Sequence, residues 1–155
     1  MKFRFKEFRV YQEIRWNWIS LLADSKWLVA DGCVRDNMKF RFKEFRVYQE
    51  AKEYCLFCRN ITATHIDKKD KGLANQINRA LNSIVLNIAE GSADKSDIEF
   101  ARFLGISIRS AYETVAGFDL ATLYGYVDEG LNQEVENKAH DLVKQLASFR
   151  NKLRS

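Results

Sequence analysis

The sequence predicts an all-α protein, an antiparallel up-down-up-down four-helix bundle, on three observations. The chain of 155 residues contains no proline and only seven glycines, so little interrupts long helices. From residue 40 onward, apolar residues recur at steps of three and four, which is the period of an amphipathic helix. The connections between these segments are short, and short connections favour antiparallel packing of successive helices.

The first two predicted helices lie between residues 40 and 91. The first runs from Phe40 to about Thr62 and is followed by a polar, lysine-rich loop with the sequence ATHIDKKDKG. The second begins near residues 71–73 and carries apolar side chains on one face. Gly91 stands where a glycine in the C′ position would end this helix.

The third predicted helix has the clearest start. Ser96 and Glu99 have the spacing of a capping box, in which each side chain accepts a hydrogen bond from the other residue's backbone N–H. This helix continues to about Tyr124, where Gly125 can stop it. The fourth helix carries apolar residues at alternating steps of four and three, the pattern of a packed seam. The seam consists of Val135, Ala139, Leu142, Leu146, Phe149 and Leu153.

The third helix carries more apolar surface than one seam can bury. Apolar residues form a second stripe along this helix, besides the stripe expected to face the core. The second stripe predicts self-association through this helix, and the alternative is a helix that is central within a single protomer. Mid-helix glycine costs about 1 kcal/mol relative to alanine, so we expect close backbone approach at Gly105 and Gly117. The candidate interface residues are Phe103, Ile106, Gly117, Leu120 and Tyr124.

The first thirteen residues, MKFRFKEFRVYQE, recur unchanged as residues 38–50. The identity stops abruptly after the second copy, whereas structural repeats show degenerate similarity over a longer unit. We therefore expect Met38 to be the original start, and residues 1–37 to be a peripheral extension or an artefactual duplication. Residues 38–155 then form the four-helix domain. In a sharper interpretation, the first copy competes for the position of the second, in its own subunit or a neighbour.

Composition and motifs exclude several classes of function. No apolar run is long enough to span a bilayer and the N-terminus lacks the apolar segment of a secretory signal, so we expect a cytoplasmic protein. Neither His65 nor His140 has a glutamate three residues before it, which excludes the di-iron bundle pattern. Phosphate-binding loops and nucleophile motifs are also missing. We predict no enzyme, no catalytic residue, no metal and no cofactor.

Cys55 and Cys58 have the C-x-x-C spacing of redox and metal sites. They lie inside a helical pattern with no second cysteine pair, and the odd count of three cysteines argues against a disulfide framework. We interpret them as small buried apolar side chains.

Two basic clusters are candidates for nucleic-acid binding, because cations among aromatic rings suit phosphate contact and base stacking. The net charge of +4 permits an anionic partner without requiring one. Acidic residues are interspersed, so an ordinary solvated surface is the alternative. The clusters are Lys39, Arg41, Lys43 and Arg46, and Lys68, Lys69 and Lys71.

A polar stripe follows one face of the second helix. Antiparallel pairing sets Arg79 within about one turn of Ser110 and Glu113. An Arg79–Glu113 pair, assisted by Gln76, could form a buried network that sets the register between helices or subunits, and a solvated face is the alternative. The stripe consists of Gln76, Arg79, Ser83, Asn87 and Glu90.

The segment QINRALNSIVLNIAEGSADKSDIEFARFLGISIRSAYE resembles the four-helix-bundle proteins encoded in intervening sequences of bacterial 23S ribosomal RNA. The resemblance covers residues 38 to about 150, and Asn-Ile-Ala-Glu-Gly at 87–91 is its most specific signature. Arg109 departs from it, because relatives often have glycine there. The matching positions are Gln76, Arg79, Ala80, Ser83, Ile84, Asn87, Ile88, Ala89, Glu90, Gly91, Glu99, Phe100, Phe103, Leu104, Ser110 and Glu113.

The resemblance implies a small non-enzymatic bundle that assembles as a ring-shaped homo-oligomer, a homopentamer. It also implies a distant similarity to the accessory variability determinant of diversity-generating retroelements, which binds a reverse transcriptase and nucleic acid. The expected partners are the chain itself and RNA or a nucleic-acid-processing protein, with no membrane. Two functions stay open: binding of RNA or a ribonucleoprotein through basic surface residues, and a protein–protein scaffold with no nucleic-acid role.

Overall fold

The computed structural model describes residues 40–93 and 96–155, and in these ranges the chain forms four α-helices and no strand. A four-helix bundle fits these elements, and the predicted all-α class is confirmed. The predicted extension 1–37 and the candidate Lys39 lie outside the described residues. The helices are α1 (Arg46–Ile61), α2 (Lys71–Ala93), α3 (Asp97–Leu123) and α4 (Glu129–Lys152), with a 3-10 helix (Arg41–Glu44) before α1 and a π-helical turn (Thr62–Ile66) after it.

Helix α1 differs from its prediction at both ends. Phe45 has an extended backbone, with φ −74° and ψ 123°, so the preceding 3-10 helix does not continue into α1. Beyond α1, the first residues of the predicted loop form the π-helical turn and bury Ile66 completely. Burial of this apolar side chain favours the turn, and the Thr62 hydroxyl donates to the Cys58 carbonyl oxygen at 2.9 Å. The prediction of a loop is wrong over these residues.

Gly91 does not end α2, and its predicted C′ role is wrong. It lies inside the helix, which continues to Ala93, and it is buried. A Cβ atom at this position would lie 2.7 Å from both Phe100 Cδ2 and Phe103 Cβ. Glycine therefore permits the close approach of α2 to α3, and this contact explains the residue better than a helix stop does.

Helix α3 begins and ends close to its predicted bounds. The Ser96 side chain accepts a hydrogen bond from the Glu99 backbone N–H at 3.4 Å, which is one half of the predicted capping box. The Glu99 carboxylate accepts a hydrogen bond from Arg102 Nε at 2.7 Å. After α3 the chain turns through Gly125, whose φ of 70° is a conformation that favours glycine.

Helix α4 presents the predicted seam to the core. Its N-cap residue Asp128 accepts a hydrogen bond from the Leu131 backbone N–H at 2.9 Å. This bond satisfies one of the first N–H groups, which have no partner inside the helix. The seam residues Val135, Ala139, Leu142 and Leu146 are buried, and Phe149 and Leu153 are half-buried.

The four helices enclose an apolar core. Helix α1 packs on α2 and α4, and α3 packs on the same two helices. The largest fully buried side chains include Phe100 and Phe118 of α3, Leu81 of α2 and Leu146 of α4. Among the residues that the structure describes, no helix is both long enough and apolar enough to cross a membrane.

Candidate nucleic-acid interface

The first predicted basic cluster lies at the start of α1, where Arg41, Lys43 and Arg46 are exposed. The Arg41 guanidinium carbon lies 5.6 Å from the centroid of the Phe45 ring, and Lys43 Nζ lies 5.1 Å from that of Phe40. Both distances are within the range of cation–π contacts. The cluster therefore combines exposed cations with aromatic rings.

Phe45 anchors this cluster at the end of the bundle where α3 begins and α4 ends. Its ring stacks on Phe100 with centroids 5.9 Å apart, and it meets Phe149 edge-on at 5.3 Å. This aromatic contact brings the cations of α1 beside the last turns of α4, which carry Lys144 and Lys152.

An open groove of about 640 Å³ lies between the first turn of α1 and the last turns of α4. Three of the lining side chains are basic and one is acidic. Arg46 pairs with Glu50 at 3.2 Å, whereas neither lysine of the groove forms an ion pair within the described ranges. The lining consists of Glu44, Phe45, Arg46, Val47, Lys144, Gln145, Ser148, Phe149 and Lys152.

Sequence reasoning missed Lys144 and Lys152. They and Ser148 follow one another at a spacing of four, so they lie along one ridge of α4. That spacing was the only available signal. The spacing points to a binding surface only if the start of α1 lies beside this ridge of α4, and the sequence pattern does not show which turns of the two helices meet.

The second predicted basic cluster lies beyond the other end of α1, where Lys68, Lys69 and Lys71 are exposed. Lys69 Nζ lies 5.3 Å from the ring centroid of Tyr126, which belongs to the connection between α3 and α4. The 16 residues of α1 extend over about 24 Å. The structure therefore places the two predicted clusters at opposite ends of this helix.

Hydrogen bonds join the polar stripe of α2 to α3. Gln76 Nε2 donates to Glu113 Oε1 at 2.5 Å, and Ser110 Oγ lies 2.8 Å from Ser83 Oγ. Asn87 Nδ2 extends this contact by donating to Ser83 Oγ at 3.0 Å. These residues therefore help to fix how α2 and α3 are aligned.

Within the described protomer, Arg79 does not form the predicted ion pair with Glu113. It is exposed, and among the described residues it pairs with no carboxylate. Gln76 lies three residues earlier and so is rotated by about 60° around the helix axis, toward α3. Gln76 and Glu113 are themselves exposed, so the predicted buried network is absent from this part of the protomer. Glu90, at the end of the stripe, is exposed as well.

The outer face of α3 exposes several large apolar side chains, among charged residues such as Arg109 and Glu113 that are exposed as well. Ile98, Tyr112 and Leu123 are 74%, 67% and 76% exposed, and the predicted interface residues Leu120 and Tyr124 are 42% and 52% exposed. Of the other predicted interface residues, Phe103 and Ile106 are half-buried, and Gly117 is buried within the protomer, so its predicted place in the interface is wrong.

The two mid-helix glycines of α3 have different surroundings. A Cβ atom on Gly105 would meet no atom within 4 Å, so close approach there has no partner among the described residues. A Cβ atom on Gly117 would lie 2.6 Å from Ile77 Cγ1 in α2. The close approach at Gly117 is therefore a contact within the protomer.

Two smaller cavities lie between helices. One of about 230 Å³ between α3 and α4 is lined mostly by apolar side chains and includes Glu136 and His140. The other, of about 220 Å³ between α1 and α4, includes Glu50, Glu53 and Asp141. Across the described ranges, no group of three His, Cys, Asp or Glu side chains is placed to hold a metal ion.

The two cysteines of α1 are packing residues. Cys58 is completely buried, and Cys55 is half-buried with its Sγ 3.1 Å from the Leu81 carbonyl oxygen. Burial raises the pKa of each thiol to about 12. Reactive cysteines have a lowered pKa, so the interpretation as apolar side chains is confirmed for Cys58 and holds in part for Cys55.

Comparison with known proteins identifies the family. The family described as 23S rRNA-intervening sequence protein matches residues 43–148, well over half of the chain. The chain belongs to this family. The resemblance read from the sequence is thereby confirmed, and the match begins inside the second copy of the repeated segment. No curated protein matches the chain.

A solved structure of another protein shares the fold of this chain. It is a protein with unknown function from the S23 ribosomal protein family of Bacteroides thetaiotaomicron, 24% identical in sequence, with a TM-score of 0.62. The comparison covers 66% of this chain and 95% of that one. At this level of identity the similarity shows the fold alone.

Proposed function

We propose that this protein is a non-enzymatic, homo-oligomeric four-helix bundle that binds RNA or a ribonucleoprotein through basic surface residues. The observation that carries the proposal is the exposure of basic side chains in clusters at both ends of α1. The family description refers to 23S rRNA, and the description of the similar structure refers to a ribosomal protein family. A net charge of +4 adds a weak general attraction to a polyanion.

Fluorescence anisotropy with a short labelled RNA tests the binding proposal. We expect affinity at low salt that weakens as salt rises from about 50 to 200 mM, because bound cations release counterions from phosphates. Absence of affinity at low salt, or an affinity that salt leaves unchanged, would contradict it.

We further propose that the helices run up-down-up-down and that the protomers close into a homopentameric ring. Contacts between α1 and α4 support an antiparallel direction of these two helices. Phe45 at the start of α1 meets Phe149 near the end of α4, whereas the ring centroid of Phe57 lies 4.9 Å from Lys138 Nζ in the first half of α4. The large apolar side chains exposed along α3 support self-association, because their burial between protomers would be favourable. The number of protomers follows the family resemblance.

Native mass spectrometry of the Leu120→Glu variant tests the assembly. Leu120 lies on the outer face of α3, and Leu56, a 64% exposed leucine of α1, provides the matched control as Leu56→Glu. We expect Leu120→Glu to shift the mass toward smaller species, because a carboxylate would be desolvated in the interface. The control should keep the mass of the unsubstituted protein. A monomeric unsubstituted protein would exclude the ring.

A scaffold with no nucleic-acid role is the second candidate, and the same outer face of α3 favours it. Such a surface serves a protein partner as well as it serves a second copy. Partners that remain bound after nuclease digestion, together with no RNA affinity, would establish this function in place of RNA binding.

A further inference from the structure

We infer that the groove between the start of α1 and the end of α4 holds the phosphate backbone of single-stranded RNA. This inference rests on the proposed function and assigns the binding surface to one end of the bundle. The groove brings Lys144 and Lys152, which lie far from Arg46 in the sequence, into one lining with it.

The charge of the groove favours an anionic ligand. Arg46, Lys144 and Lys152 line the groove together with the carboxylate of Glu44, and Arg46 is already paired with Glu50, so the two lysines carry the excess positive charge. The two lysines are exposed and form no ion pair with any described residue, so neither has a protein carboxylate to give up when a phosphate binds. Phosphate contacts by such side chains provide most of the sequence-independent affinity for nucleic acids.

The spacing along α4 suits an extended strand. Lys144, Ser148 and Lys152 follow one ridge, with a rise of about 6 Å from each to the next. Two ammonium groups with a hydroxyl between them can therefore contact successive phosphates of one strand. The hydroxyl can donate to a phosphate oxygen, as serine side chains commonly do at nucleic-acid interfaces.

An aromatic residue at the same end of α1 favours single-stranded over duplex RNA. Phe40 is 65% exposed, and Lys43 lies over its ring. Exposed aromatic rings beside a positively charged groove are the pattern of single-strand binding, because unpaired bases can stack on them. Bases inside a duplex are not available for such stacking.

The surrounding charges limit the surface to this end. The next cavity along the α1–α4 contact includes Glu50, Glu53 and Asp141, whose carboxylates would repel a phosphate. At the other end of α1, Asp67 and Asp70 alternate with the lysine cluster in the sequence. The groove at the α1 start therefore has the more favourable balance of charge.

A matched pair of charge-reversal variants tests the inference. The first is Lys144→Glu/Lys152→Glu in the groove. The control is Lys52→Glu/Arg59→Glu, which makes the same change in net charge at two exposed residues of α1 outside both basic clusters. Affinity for a labelled oligouridine is measured by anisotropy at several salt concentrations, and circular dichroism confirms that each variant is folded.

We expect the groove variant to lose at least about tenfold in affinity. The slope of the logarithm of its binding constant against the logarithm of salt concentration should become shallower by about 1.4, or about 0.7 for each lost phosphate contact. The control should lose less than about threefold. Lys144→Arg/Lys152→Arg should retain the affinity, because arginine keeps the charge. A labelled RNA duplex should bind more weakly than the single strand.

The outcomes separate this inference from the proposed function. If the unsubstituted protein binds oligouridine but the groove variant binds equally well, or the control loses more affinity, the groove is wrong and RNA binding stands. Stronger binding of the duplex would overturn the single-strand assignment. If the unsubstituted protein binds no RNA at low salt, the proposed function itself fails.

Discussion

Burial makes the thiols of Cys55 and Cys58 unreactive, although their C-x-x-C spacing is also found in redox and metal sites. Cys58 is completely buried, and the loss of hydration disfavours both thiolates, which raises each pKa to about 12. The same spacing with exposed thiols would allow a low pKa and reactivity. The sequence shows that these residues are inside a helix, but the extent of their burial depends on the neighbouring helices.

Alkylation of the folded protein should therefore be slow at these two cysteines. At pH 8 we expect Cys55 and Cys58 to react with iodoacetamide at least about a hundredfold more slowly than after denaturation, because the thiolate is the nucleophile. Peptide mapping by mass spectrometry follows each cysteine separately. Equal rates in the folded and denatured protein would contradict the burial of these thiols.

The same pKa shifts predict a loss of stability at alkaline pH. Below about pH 9 the thiols stay protonated in both states and contribute no pH dependence. Between about pH 9 and 12 only the unfolded state loses these protons, so the free energy of unfolding should fall as pH rises. Burial also raises the pKa of Tyr54, which adds to this slope. Urea titrations at several pH values measure the free energy of unfolding. It should fall less steeply with pH for the Cys55→Ala/Cys58→Ala variant than for the unsubstituted protein.

Two glycines of α3 provide a matched test of helix packing. Gly117→Ala would place a Cβ atom 2.6 Å from Ile77 Cγ1, so we expect a loss of about 1–3 kcal/mol in the free energy of unfolding. Gly105→Ala meets open space and should instead gain up to about 1 kcal/mol from helix propensity. Denaturant titration measures both. Equal effects at the two sites would show that α2 does not approach Gly117 closely.

At the scale of the helices, the sequence predicts those ends that local chemistry determines. The α3 start at Ser96 and the turn at Gly125 depend on a side-chain cap and a positive φ, and both are found. The wrongly predicted helix ends are those that depend on packing against a neighbouring helix. Gly91 lies inside α2, and it is a glycine because Phe100 and Phe103 leave no room for a Cβ atom. Likewise, Ile66 extends the helical region by becoming buried in a stretch that looks polar.

Helix α4 depends on a cap that can be tested directly. Asp128→Ala removes the hydrogen bond from the Leu131 N–H, and we expect it to cost about 1 kcal/mol in the free energy of unfolding. Asp128→Asn should retain most of this stability, because asparagine caps nearly as well. Thermal unfolding followed by circular dichroism compares the two variants. A loss as large for asparagine as for alanine would show that the negative charge, not the cap, matters.

At the scale of the molecule, the candidate interface was only partly predictable. Arg41, Lys43 and Arg46 stand out as a local run of basic residues in an aromatic context. The lysines of α4 do not, because their role depends on which turns of α1 and α4 meet. The contact of Phe45 with Phe149 fixes that meeting point, and it joins residues 104 positions apart in the chain.

The repeated segment separates the four-helix domain from residues 1–37. The family match covers residues 43–148 and includes most of the second copy, so a chain beginning at Met38 should fold and assemble like the full chain. We expect the same oligomer mass and the same thermal unfolding midpoint for both chains. A shortened chain that fails to fold or assemble would show that residues 1–37 are not peripheral.

The Phe45→Ala substitution, made in both chains, distinguishes a peripheral first copy from a competing one. Phe45 packs on Phe100 and Phe149, so its loss should destabilise the shortened chain, by an amount near the low end of about 3–5 kcal/mol. If the first copy competes, Phe8 can take this position and the full chain loses less. We expect equal losses, because only the second copy continues directly into Ala51 and the rest of α1. The first copy would have to displace residues 38–50, and the shortened α1 would lose its first helical turn.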